Sequence, residues 1–597
     1  MVLTIQFTVG FKSLGGQFDL NNRLNIRDSV LPVSQIDDPE RINDQILILF
    51  VDGMRYDKML EANTPNMDKL IVNGTVFSNF RSELPSYSLV NYAAFSAGST
   101  TNITNVFANG YNKQLEIPTL YSLIDSTDLN KSLITGGDSW IRFIGNYSDV
   151  VVKVESEYHS LKEGEAVRKA VFATIPGNFS KVQFIGFEDV DAAGHEFGAA
   201  SDVYIDTIET IDGYIGEILD LYDSLDQLEN TTIVLFSDHG HANIGGHGGE
   251  SSDQTHVTLV LSGKGVRYKG LTFSDRTSIN AVTPTLLSIL GIPLAPTMNG
   301  KVLSELVDTS ESTKAIYAIQ KAEIMNQQFN ASINLINSLS ASAKENYHLE
   351  VLNIKLRINE AKNDYGIANY SSAYDKGEFA EKYARFYLRT LYLQLNSILR
   401  LTKSLLFLGL TAVCLFIFFY LNRKGIIDIG HQKVFKRTLI LQQLLGAFIA
   451  ISLANIIMIS FGADFSATSF NSVSQIVPPI LISFFVSAFV AIFLPWLFVF
   501  LLNRKEGEKN TFKDWKKQFI RSSVGSLFFV SLPVIGYILY AIIGFGPWPS
   551  WIIPPIGDIY AIMIISILPG LLYIVAIILM LVLWKNERKA KSADGAV

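Results

Sequence analysis

Short, almost unbroken apolar runs alternate with longer mixed segments through the first half of the chain, as in ILILFV (46–51), VQFIGF (182–187) and TIVLF (232–236). Runs of this length, bounded by Gly-rich turns, are typical of buried parallel strands. Strands of this kind that alternate with helical segments predict an α/β fold. We therefore expect residues 45–305 to form a doubly wound domain with a mostly parallel sheet.

The last third of the chain contains five long apolar segments, and none of them has an interior charge. Each reaches the length of about 20 residues that a helix needs to cross a bilayer, so each predicts a transmembrane helix. Residues 402–597 are accordingly predicted to form a membrane domain. Its five helices are expected near 402–422, 438–462, 476–502, 522–545 and 559–584.

Basic residues are concentrated on one side of these segments. The first and third connecting loops and the C-terminal tail contain sixteen Lys and Arg, whereas the loops at 463–475 and 546–558 contain none. Arg400 and Lys403 lie on the other flank and do not outweigh this difference. By the positive-inside rule the basic loops and the C-terminus face the cytoplasm. Residues 1–401 are therefore expected outside the cytoplasm, in a lumen if the cell is eukaryotic.

Two segments flank the α/β domain. Residues 1–44 begin with the apolar stretch MVLTIQFTVGFKSLGG, which has no basic segment before it and no cleavage site. We interpret this lead-in as a cryptic or truncated export signal. Residues 306–401 contain no proline and few glycines, which favours long helices. They are interpreted either as a helical connector to the membrane domain or as a helical subdomain packed on the α/β domain.

The first 400 residues and the rest of the chain differ in charge. From residue 401 onward there are 17 Lys and Arg against 8 Asp and Glu, and the first 400 residues have 32 against 48. An acidic head argues against a nucleic-acid polymer as partner, because such binding requires a basic face. The single cysteine, Cys414, lies in the first apolar segment. Its position excludes disulfides within the chain and a cysteine nucleophile in the head.

Six potential metal ligands follow the apolar runs closely: Asp52, Asp191, His195, Asp238, His239 and His247. Because ligands bind at the carboxyl ends of strands in open α/β sheets, we expect these side chains to meet at one edge of the sheet. Carboxylate and imidazole groups suit Zn²⁺, and a set drawn from three strands fits a two-metal hydrolytic site. The four-residue spacing of Asp191 and His195 places both on one face of a helical turn.

Five short motifs of the head resemble those of the alkaline phosphatase superfamily. They are VDGMR (51–55), PSYSLVN (85–91), DAAGH (191–195), SDHG (237–240) and GGHGG (245–249). Their order is most similar to that of the type I phosphodiesterase/nucleotide pyrophosphatase branch. Within that branch, SDHGHANIGGHGGESSDQTHVTLVLSGKGV (237–266) resembles the glycosylphosphatidylinositol ethanolamine-phosphate transferases. The resemblance covers residues 44–305 and implies an alkaline-phosphatase-like fold.

The resemblance also implies two divalent metal positions, with zinc as the expected ion. One ion would be held by Asp191, His195 and His247, and the other by Asp52, Asp238, His239 and the hydroxyl oxygen of Ser88. An open coordination position at such a site is typical of catalytic rather than structural zinc. His241 lies close to these residues in the sequence, and we interpret it as a solvated neighbour of the ligands rather than as a ligand.

Ser88 is the predicted nucleophile. Pro85 and Ser86 precede a helix-like run, and a serine at a helix start lies beside unpaired N–H groups that also bind phosphate. Metal coordination would activate its hydroxyl without a histidine base. Ser86 is the alternative nucleophile. The resemblance implies that Asn91 contacts a non-bridging phosphate oxygen, although Tyr92 follows it where the diesterases commonly have histidine.

These observations predict an enzyme that transfers a phosphoethanolamine-type group from a membrane phospholipid to a glycan or lipid-linked acceptor, through a phosphoserine intermediate at Ser88. The alternative is a membrane-anchored phosphodiesterase or nucleotide pyrophosphatase that uses water as the acceptor. Its substrate would be the phospholipid or a soluble phosphodiester. A non-catalytic receptor or a transporter is disfavoured. A transporter is expected to have charged residues inside its spans, and the apolar segments have none in their interior.

Overall fold

The computed structural model describes residues 36–391, apart from 107–108, 110, 156–160, 244, 250 and 340–346, together with four helical positions at 482, 486, 489 and 497. The rest of the lead-in and, except for those four positions, the five predicted membrane segments lie outside the described residues. Within the described part, no helix combines the length and apolar composition needed to cross a membrane. The chain divides into two compact units, and residues 36–391 belong to the unit Asp19–Leu395.

Ten strands form one large and one small sheet. They are β1 Ile46–Val51, β2 Gly74–Phe77, β3 Phe80–Arg81, β4 Lys131–Thr135, β5 Val150–Lys153, β6 Val182–Phe187, β7 Thr232–Phe236, β8 Leu259–Gly263, β9 Leu271–Phe273 and β10 Thr277–Ser278. The large sheet has the order β5-β4-β6-β1-β7-β8-β2-β9, and β3 pairs with β10. Of the eight strands, β8 alone runs antiparallel to its neighbours. The predicted mostly parallel sheet is confirmed.

The helices of the head lie on both sides of this sheet. They are α1 Tyr56–Glu61, α2 Pro65–Val72, α3 Ser88–Ala97, α4 Thr101–Thr104, α5 Leu120–Ile124, α6 Asp138–Phe143, α7 Glu163–Thr174, α8 Asp189–Phe197, α9 Asp202–Ser224, α10 Ser252–Thr255 and α11 Val282–Leu290. Short 3₁₀ turns occur at Gly145–Tyr147, Leu228–Asn230, Ile279–Ala281 and Ser304–Leu306. Three further helices follow: α12 Glu311–Leu339, α13 His348–Gly366 and α14 at residues 370–391.

Alternation along the central strand β1 divides the hydrophobic core into two layers. Ile46, Ile48 and Phe50 point into one layer, and the residues between them point into the other. This is the two-residue period of a strand that is buried on both faces. Helix α9 covers the second layer with a stripe of buried residues at helical spacing: Tyr204, Ile208, Ile211, Ile215, Ile218 and Tyr222.

Residues 306–391 include helices that pack on the head. The Tyr317 hydroxyl of α12 donates to the carbonyl oxygens of Leu287 and Ile292, at 3.2 and 3.0 Å. The Lys321 ammonium donates to the Met298 carbonyl at 3.0 Å. These bonds join α12 to the last turn of α11 and to the segment that follows it, and they give the Ile292 and Met298 carbonyls a partner. Within the described residues, this region is therefore a helical layer packed on the α/β domain.

The strand register brings the functional segments to one edge of the sheet. Strands β6 and β7 flank β1 in parallel, with Val51 opposite Phe187 and Phe50 opposite Phe236. The three strands therefore end at the same level. The segments that begin at residues 52, 188 and 237 all leave the sheet at its carboxyl edge, which is where open α/β sheets bind ligands.

Candidate metal centre

Seven acidic and histidine side chains at this edge form two groups, one of Asp52, Asp238 and His239 and the other of Asp191, His195, His241 and His247. In each group, one potential ligand atom per residue lies within 4.8 Å of all the others. The first group comes from the turns after β1 and β7. The second comes from α8 and from the loop after β7. All six predicted ligands lie in these groups, together with one histidine that had been predicted to be solvated.

The first group is arranged around Nε2 of His239. This atom lies 3.3 Å from Asp52 Oδ1, 3.4 Å from Asp238 Oδ2 and 3.0 Å from Ser88 Oγ. The other ring nitrogen, Nδ1, lies 3.2 Å from the Gly240 carbonyl oxygen, which can only accept. His239 therefore carries its proton on Nδ1 and turns an unprotonated Nε2 toward the two carboxylates.

The second group is arranged around Asp191 and three imidazoles. His195 Nε2 lies 3.4 Å from Asp191 Oδ2, as expected for an i,i+4 pair on α8. His247 Nδ1 donates to the Ser86 carbonyl at 3.0 Å, which leaves Nε2 as an acceptor 3.2 Å from His195 Nε2. The fourth member, His241, is fully buried, and its Nε2 lies 2.7 Å from Asp191 Oδ1. The prediction that His241 is solvated is therefore wrong, because the loop after β7 folds inward over α8.

The two groups are parts of one cluster. The rings of His239 and His247 stack with their centroids 3.7 Å apart. His239 Nε2 is also 3.8 Å from Asp191 Oδ1, although Asp191 belongs to the other group. Ions held by the two groups would therefore be near neighbours, as two-metal hydrolytic chemistry requires.

Burial shifts the pKa values of most carboxylates and histidines in the cluster toward the neutral form. Burial, with the negative charges of Asp238 and Asp191, raises the pKa of Asp52 well above its usual range, and burial raises the pKa of Asp238 to about 7. Burial lowers the pKa of His239 to about 3 and that of His247 well below its usual range. Because these two histidines are neutral at neutral pH, their short contacts with carboxylates are not ion pairs.

Asp191 differs from the other two carboxylates. Its burial opposes ionisation, but the charge of His195 and the hydrogen bond from His241 outweigh burial and hold the pKa of Asp191 well below its usual range. Asp191 is therefore the carboxylate of the cluster that stays ionised over the widest range of pH.

The donor set fits divalent metal ions. Asp52 Oδ1 and Asp238 Oδ2 are buried, and neither has a hydrogen-bond partner among the described residues. Both face an imidazole nitrogen that also lacks a proton. A buried set of acceptors without a donor costs free energy unless a cation lies among them. Carboxylate and neutral imidazole are the ligands of Zn²⁺ in catalytic sites.

Ser88 lies at the start of α3, beside the first group. It is the first residue of the helix, so the backbone N–H groups there have no partner within the helix. Its hydroxyl is 3.0 Å from His239 Nε2. The alternative nucleophile, Ser86, is fully buried; its hydroxyl donates to the Gly249 carbonyl and accepts from the Gly248 amide. Of the two serines, Ser88 is the one whose hydroxyl faces the cluster.

The described contacts do not bring Asn91 to the cluster. Its side chain is fully buried; Oδ1 accepts from the Glu83 amide at 2.7 Å, and Nδ2 donates to the Tyr87 carbonyl at 3.0 Å. These bonds tie the turn before α3 to the first turn of the helix. The geometry does not support the expectation that Asn91 contacts a phosphate oxygen.

Two residues near the cluster were not assigned from the sequence. The Tyr92 hydroxyl donates to Asp52 Oδ2, and its ring stacks on Trp140 with the centroids 4.1 Å apart. The exposed Asn109 accepts a hydrogen bond through Oδ1 from the Leu89 amide at 3.1 Å, next to Ser88. Each contact joins residues 20 or 40 positions apart. No local pattern in the sequence predicts such contacts.

Comparison with known proteins shows what the head is similar to. The family model for type I phosphodiesterase/nucleotide pyrophosphatase matches residues 46–146 and 181–266. The chain is 25% identical over 309 residues to GPI ethanolamine phosphate transferase 2 of Schizosaccharomyces pombe, covering 46% of this chain and 40% of that protein. It is 22% identical over 273 residues to GPI ethanolamine phosphate transferase 3 of the same yeast, covering 42% of this chain and 29% of that protein.

The chain thus spans less than half the length of these curated relatives. Among solved structures, murine ectonucleotide pyrophosphatase/phosphodiesterase 5 aligns with a TM-score of 0.39 at 12% identity, covering 44% of this chain and all of that chain. The family match includes the segments that carry Asp52, Ser88, Asp191, Asp238 and His247. Over residues 46–146 and 181–266, the head of this chain is similar to the type I phosphodiesterase/nucleotide pyrophosphatase family.

Proposed function

We propose that this chain is a membrane-bound, two-metal phosphotransferase that moves a phosphoethanolamine-type group from a phospholipid diester to a glycan or lipid-linked acceptor. The observation that carries the proposal is the position of Ser88. Its hydroxyl lies 3.0 Å from the unprotonated Nε2 of His239. The same nitrogen faces two buried carboxylate oxygens that have no hydrogen-bond partner among the described residues. A serine oxygen beside a cation site at a helix start is suited to attack phosphorus.

Two ions are assigned to the cluster, with zinc as the expected metal. One would be held by Asp191, His195 and His247, and the other by Asp52, Asp238, His239 and Ser88. When bound, such ions lower the pKa of a coordinated hydroxyl and neutralise charge on phosphate oxygens. The resident histidines support this assignment because His239 and His247 donate Nδ1–H to backbone carbonyls and keep Nε2 available.

The phosphoryl group is proposed to pass through Ser88 in two steps. Ser88 Oγ forms a bond to phosphorus, and the bond from phosphorus to the diacylglycerol oxygen breaks; diacylglycerol leaves with a proton. The acceptor hydroxyl then attacks the same phosphorus and releases Ser88. The N–H groups at the start of α3 would stabilise the phosphate oxygens throughout.

An amide side chain is proposed to contact a non-bridging phosphate oxygen. The sequence favours Asn91 for this role, whereas the contacts favour Asn109. The Asn91 amide is buried and already bonded to the backbone at both ends. Asn109 is exposed and contacts the amide of Leu89, one residue after Ser88.

The named relatives support a transferase with a lipid donor. Both yeast proteins are called GPI ethanolamine phosphate transferases, and the predicted membrane segments would keep a lipid donor and a lipid-linked acceptor near the head. The family description supports the alternative, a phosphodiesterase or pyrophosphatase that transfers the group to water. In either case the head is proposed to lie outside the cytoplasm and the C-terminus inside it.

The decisive experiment follows a labelled headgroup. Full-length protein in membranes that contain phosphatidylethanolamine with labelled ethanolamine is compared with Ser88→Ala, and mass spectrometry identifies the labelled products. Ser96→Ala is the matched control, because Ser96 lies in the same helix and its hydroxyl has no hydrogen-bond partner among the described residues. Label on a glycan or lipid acceptor, dependent on Ser88 but not on Ser96, is the expected result.

Other outcomes separate the alternatives. Release of labelled phosphoethanolamine to water would favour the phosphodiesterase. Turnover that survives in Ser88→Ala at the wild-type rate would overturn the nucleophile assignment. If the wild-type protein releases no labelled headgroup from the lipid, the assignment of a phospholipid donor is wrong. Nucleotide and other soluble diesters then become the substrates to assay.

A further inference from the structure

His241 belongs to the cluster but is not among the residues assigned to either metal ion. It lies two residues after His239, and its side chain is fully buried. Its four-membered group includes Asp191, His195 and His247, so proximity alone would allow it to bind an ion. The hydrogen bonds of its two ring nitrogens distinguish between binding an ion and holding another ligand.

The backbone partner of each histidine determines which nitrogen carries the proton. His239 and His247 each place Nδ1 against a carbonyl oxygen, so Nδ1 is protonated and Nε2 is free to bind metal. His241 has the opposite arrangement. The Gly246 amide donates to His241 Nδ1 at 3.2 Å, so Nδ1 is an acceptor. The proton of the neutral ring is therefore on Nε2.

The protonated nitrogen of His241 is directed at a proposed ligand. His241 Nε2 lies 2.7 Å from Asp191 Oδ1, a short distance that fits an N–H donor and a carboxylate acceptor. A nitrogen that carries this proton has no lone pair for a metal ion. Asp191 keeps its second oxygen, Oδ2, on the side of His195 at 3.4 Å.

Packing holds the His241 ring in this position. A Cβ atom added at Gly194 would lie 2.6 Å from both Cγ and Nε2 of His241, which is closer than real Cβ contacts. A Cβ atom at Gly53 would lie 3.1 Å from His241 Nε2. The ring therefore sits against α8, between the positions of Asp191 and His195, and against the turn after β1. A ring packed this closely cannot turn Nε2 away from Asp191 without moving the backbone.

We infer that His241 is a positioning residue: it holds Asp191 through an Nε2–H hydrogen bond and does not itself bind metal. This inference rests on the proposed two-metal function. With His241 outside the ligand set, Asp191, His195 and His247 make three protein ligands and leave a position open, as in catalytic zinc sites. A fourth ligand would close the site. Partners of this kind orient metal ligands, and their loss typically costs about 10-fold to 100-fold in metal affinity.

Two substitutions separate the functions of the two ring nitrogens. His241→Gln places an amide donor near the position of Nε2 and can still hold Asp191. His241→Asn keeps an acceptor near the position of Nδ1 for Gly246 but does not reach Asp191. Amide side chains are poor zinc ligands, so neither variant can replace an imidazole ligand. His247→Ala serves as the variant that loses a proposed ligand, and His256→Gln is the control, because His256 bonds the Ser78 carbonyl outside both groups.

The measurement is zinc stoichiometry and affinity of the full-length protein in detergent, by titration against a chelator, with the unfolding midpoint as a check on folding. We expect His241→Gln to stay within about threefold of the wild-type affinity and His241→Asn to bind about 10-fold to 100-fold more weakly, both with full stoichiometry at saturation. His247→Ala should lose one equivalent of zinc. The ratio kcat/KM of His241→Gln should follow its affinity.

Different outcomes test the role of His241 and the two-metal function separately. Loss of one zinc equivalent in both His241 variants would make His241 a ligand and overturn the inference. Wild-type affinity in both, with or without a lower unfolding midpoint, would reduce its role to packing and would also overturn it. A wild-type protein that binds no divalent ion would instead refute the proposed function.

Discussion

At the scale of single residues, the cluster contains charged groups that are unfavourable without a counter-ion. Asp238 is fully buried beside Asp52, and the Gly53 amide donates to its Oδ1 at 3.2 Å. Burial raises the pKa of Asp238 to about 7 from an ordinary value of 3.8. In the metal-free protein, the folded state therefore retains a proton that the unfolded state has already lost. The stability that this proton contributes is lost as the pH rises through about 7.

Asp238→Asn is therefore expected to act in opposite directions with and without metal. In the metal-free protein the variant should unfold at a higher temperature than wild type at about pH 8 and at the same temperature at about pH 4, because the amide never ionises. With zinc present the order should reverse at about pH 8, because a ligand has been lost. Circular dichroism melting with chelator or with zinc provides the measurement.

Asp57→Asn is the matched control for this experiment. Although partial burial opposes ionisation, the hydrogen bond and charge of Arg55 lower the pKa of Asp57, so its carboxylate stabilises the fold at high pH. The control variant should melt below wild type at about pH 8, with or without zinc. An Asp238→Asn variant that behaves in the same way would contradict the account of a buried carboxylate without a counter-ion.

At the scale of elements, helix α3 brings the reactive serine to the cluster. The sequence predicted a helix start near Pro85 and Ser86, and the helix begins at Ser88. That prediction is local, since it depends on residues within one turn. Which amide side chain contacts the phosphate is not a local question, because it depends on which side chains fold back onto the start of the helix.

Alanine substitutions of the two candidate asparagines, Asn91 and Asn109, should have different effects on stability and activity. Asn91→Ala leaves the half-buried Glu83 amide without its acceptor and a cavity at a fully buried side chain, which costs about 1–3 kcal/mol, so the unfolding midpoint should fall. Asn109→Ala removes an exposed group, and water can replace its bond to the Leu89 amide, so the midpoint should change little. The rate on a diester should fall about 100-fold or more, the scale of a lost transition-state donor. Melting curves and initial rates on the same preparations test both.

The reverse pattern would restore the assignment made from the sequence. If Asn91→Ala keeps the wild-type midpoint but loses activity, while Asn109→Ala is active, then Asn91 is the amide on the phosphate. In that case its bonds to Glu83 and Tyr87 would have to open when substrate binds.

At the scale of the whole molecule, the chain combines an acidic region at residues 1–400 with a basic region at residues 401–597. The positive-inside rule predicts that the head and the loops at 463–475 and 546–558 lie on the same side of a membrane. All of those loops lie outside the described residues, so the topology remains a prediction from charge. Cys414 is the single cysteine, which makes the prediction directly accessible to labelling.

Single cysteines in a Cys414→Ala background should fall into two classes. In sealed vesicles of one orientation, Ser371→Cys in α14 and Ser469→Cys in the second loop should react together with a membrane-impermeant maleimide. Asn510→Cys in a basic loop should react under the opposite condition, because its loop is predicted to be cytoplasmic. Equal labelling of Ser469→Cys and Asn510→Cys in sealed vesicles would contradict the topology.

The sequence by itself determined the elements and the order of the motifs. Apolar runs of five or six residues predicted β1, β6 and β7 correctly, because burial on both faces of a parallel strand favours apolar residues over nearly its whole length. The residues after those runs were expected to meet because parallel strands end at a common edge. The four-residue spacing of Asp191 and His195 was likewise sufficient to place both on one helix face.

Only the tertiary structure decided how each of these residues is used. The Ser86 carbonyl that orients His247 lies 161 residues away in the sequence, and the Asp191 oxygen that engages His241 lies 50 residues away. Ser86, Asn91 and His241 were each understood differently once their backbone partners were known. Hydrogen-bond partners of this kind depend on how loops fold over one another, and the local sequence has no periodicity that records them.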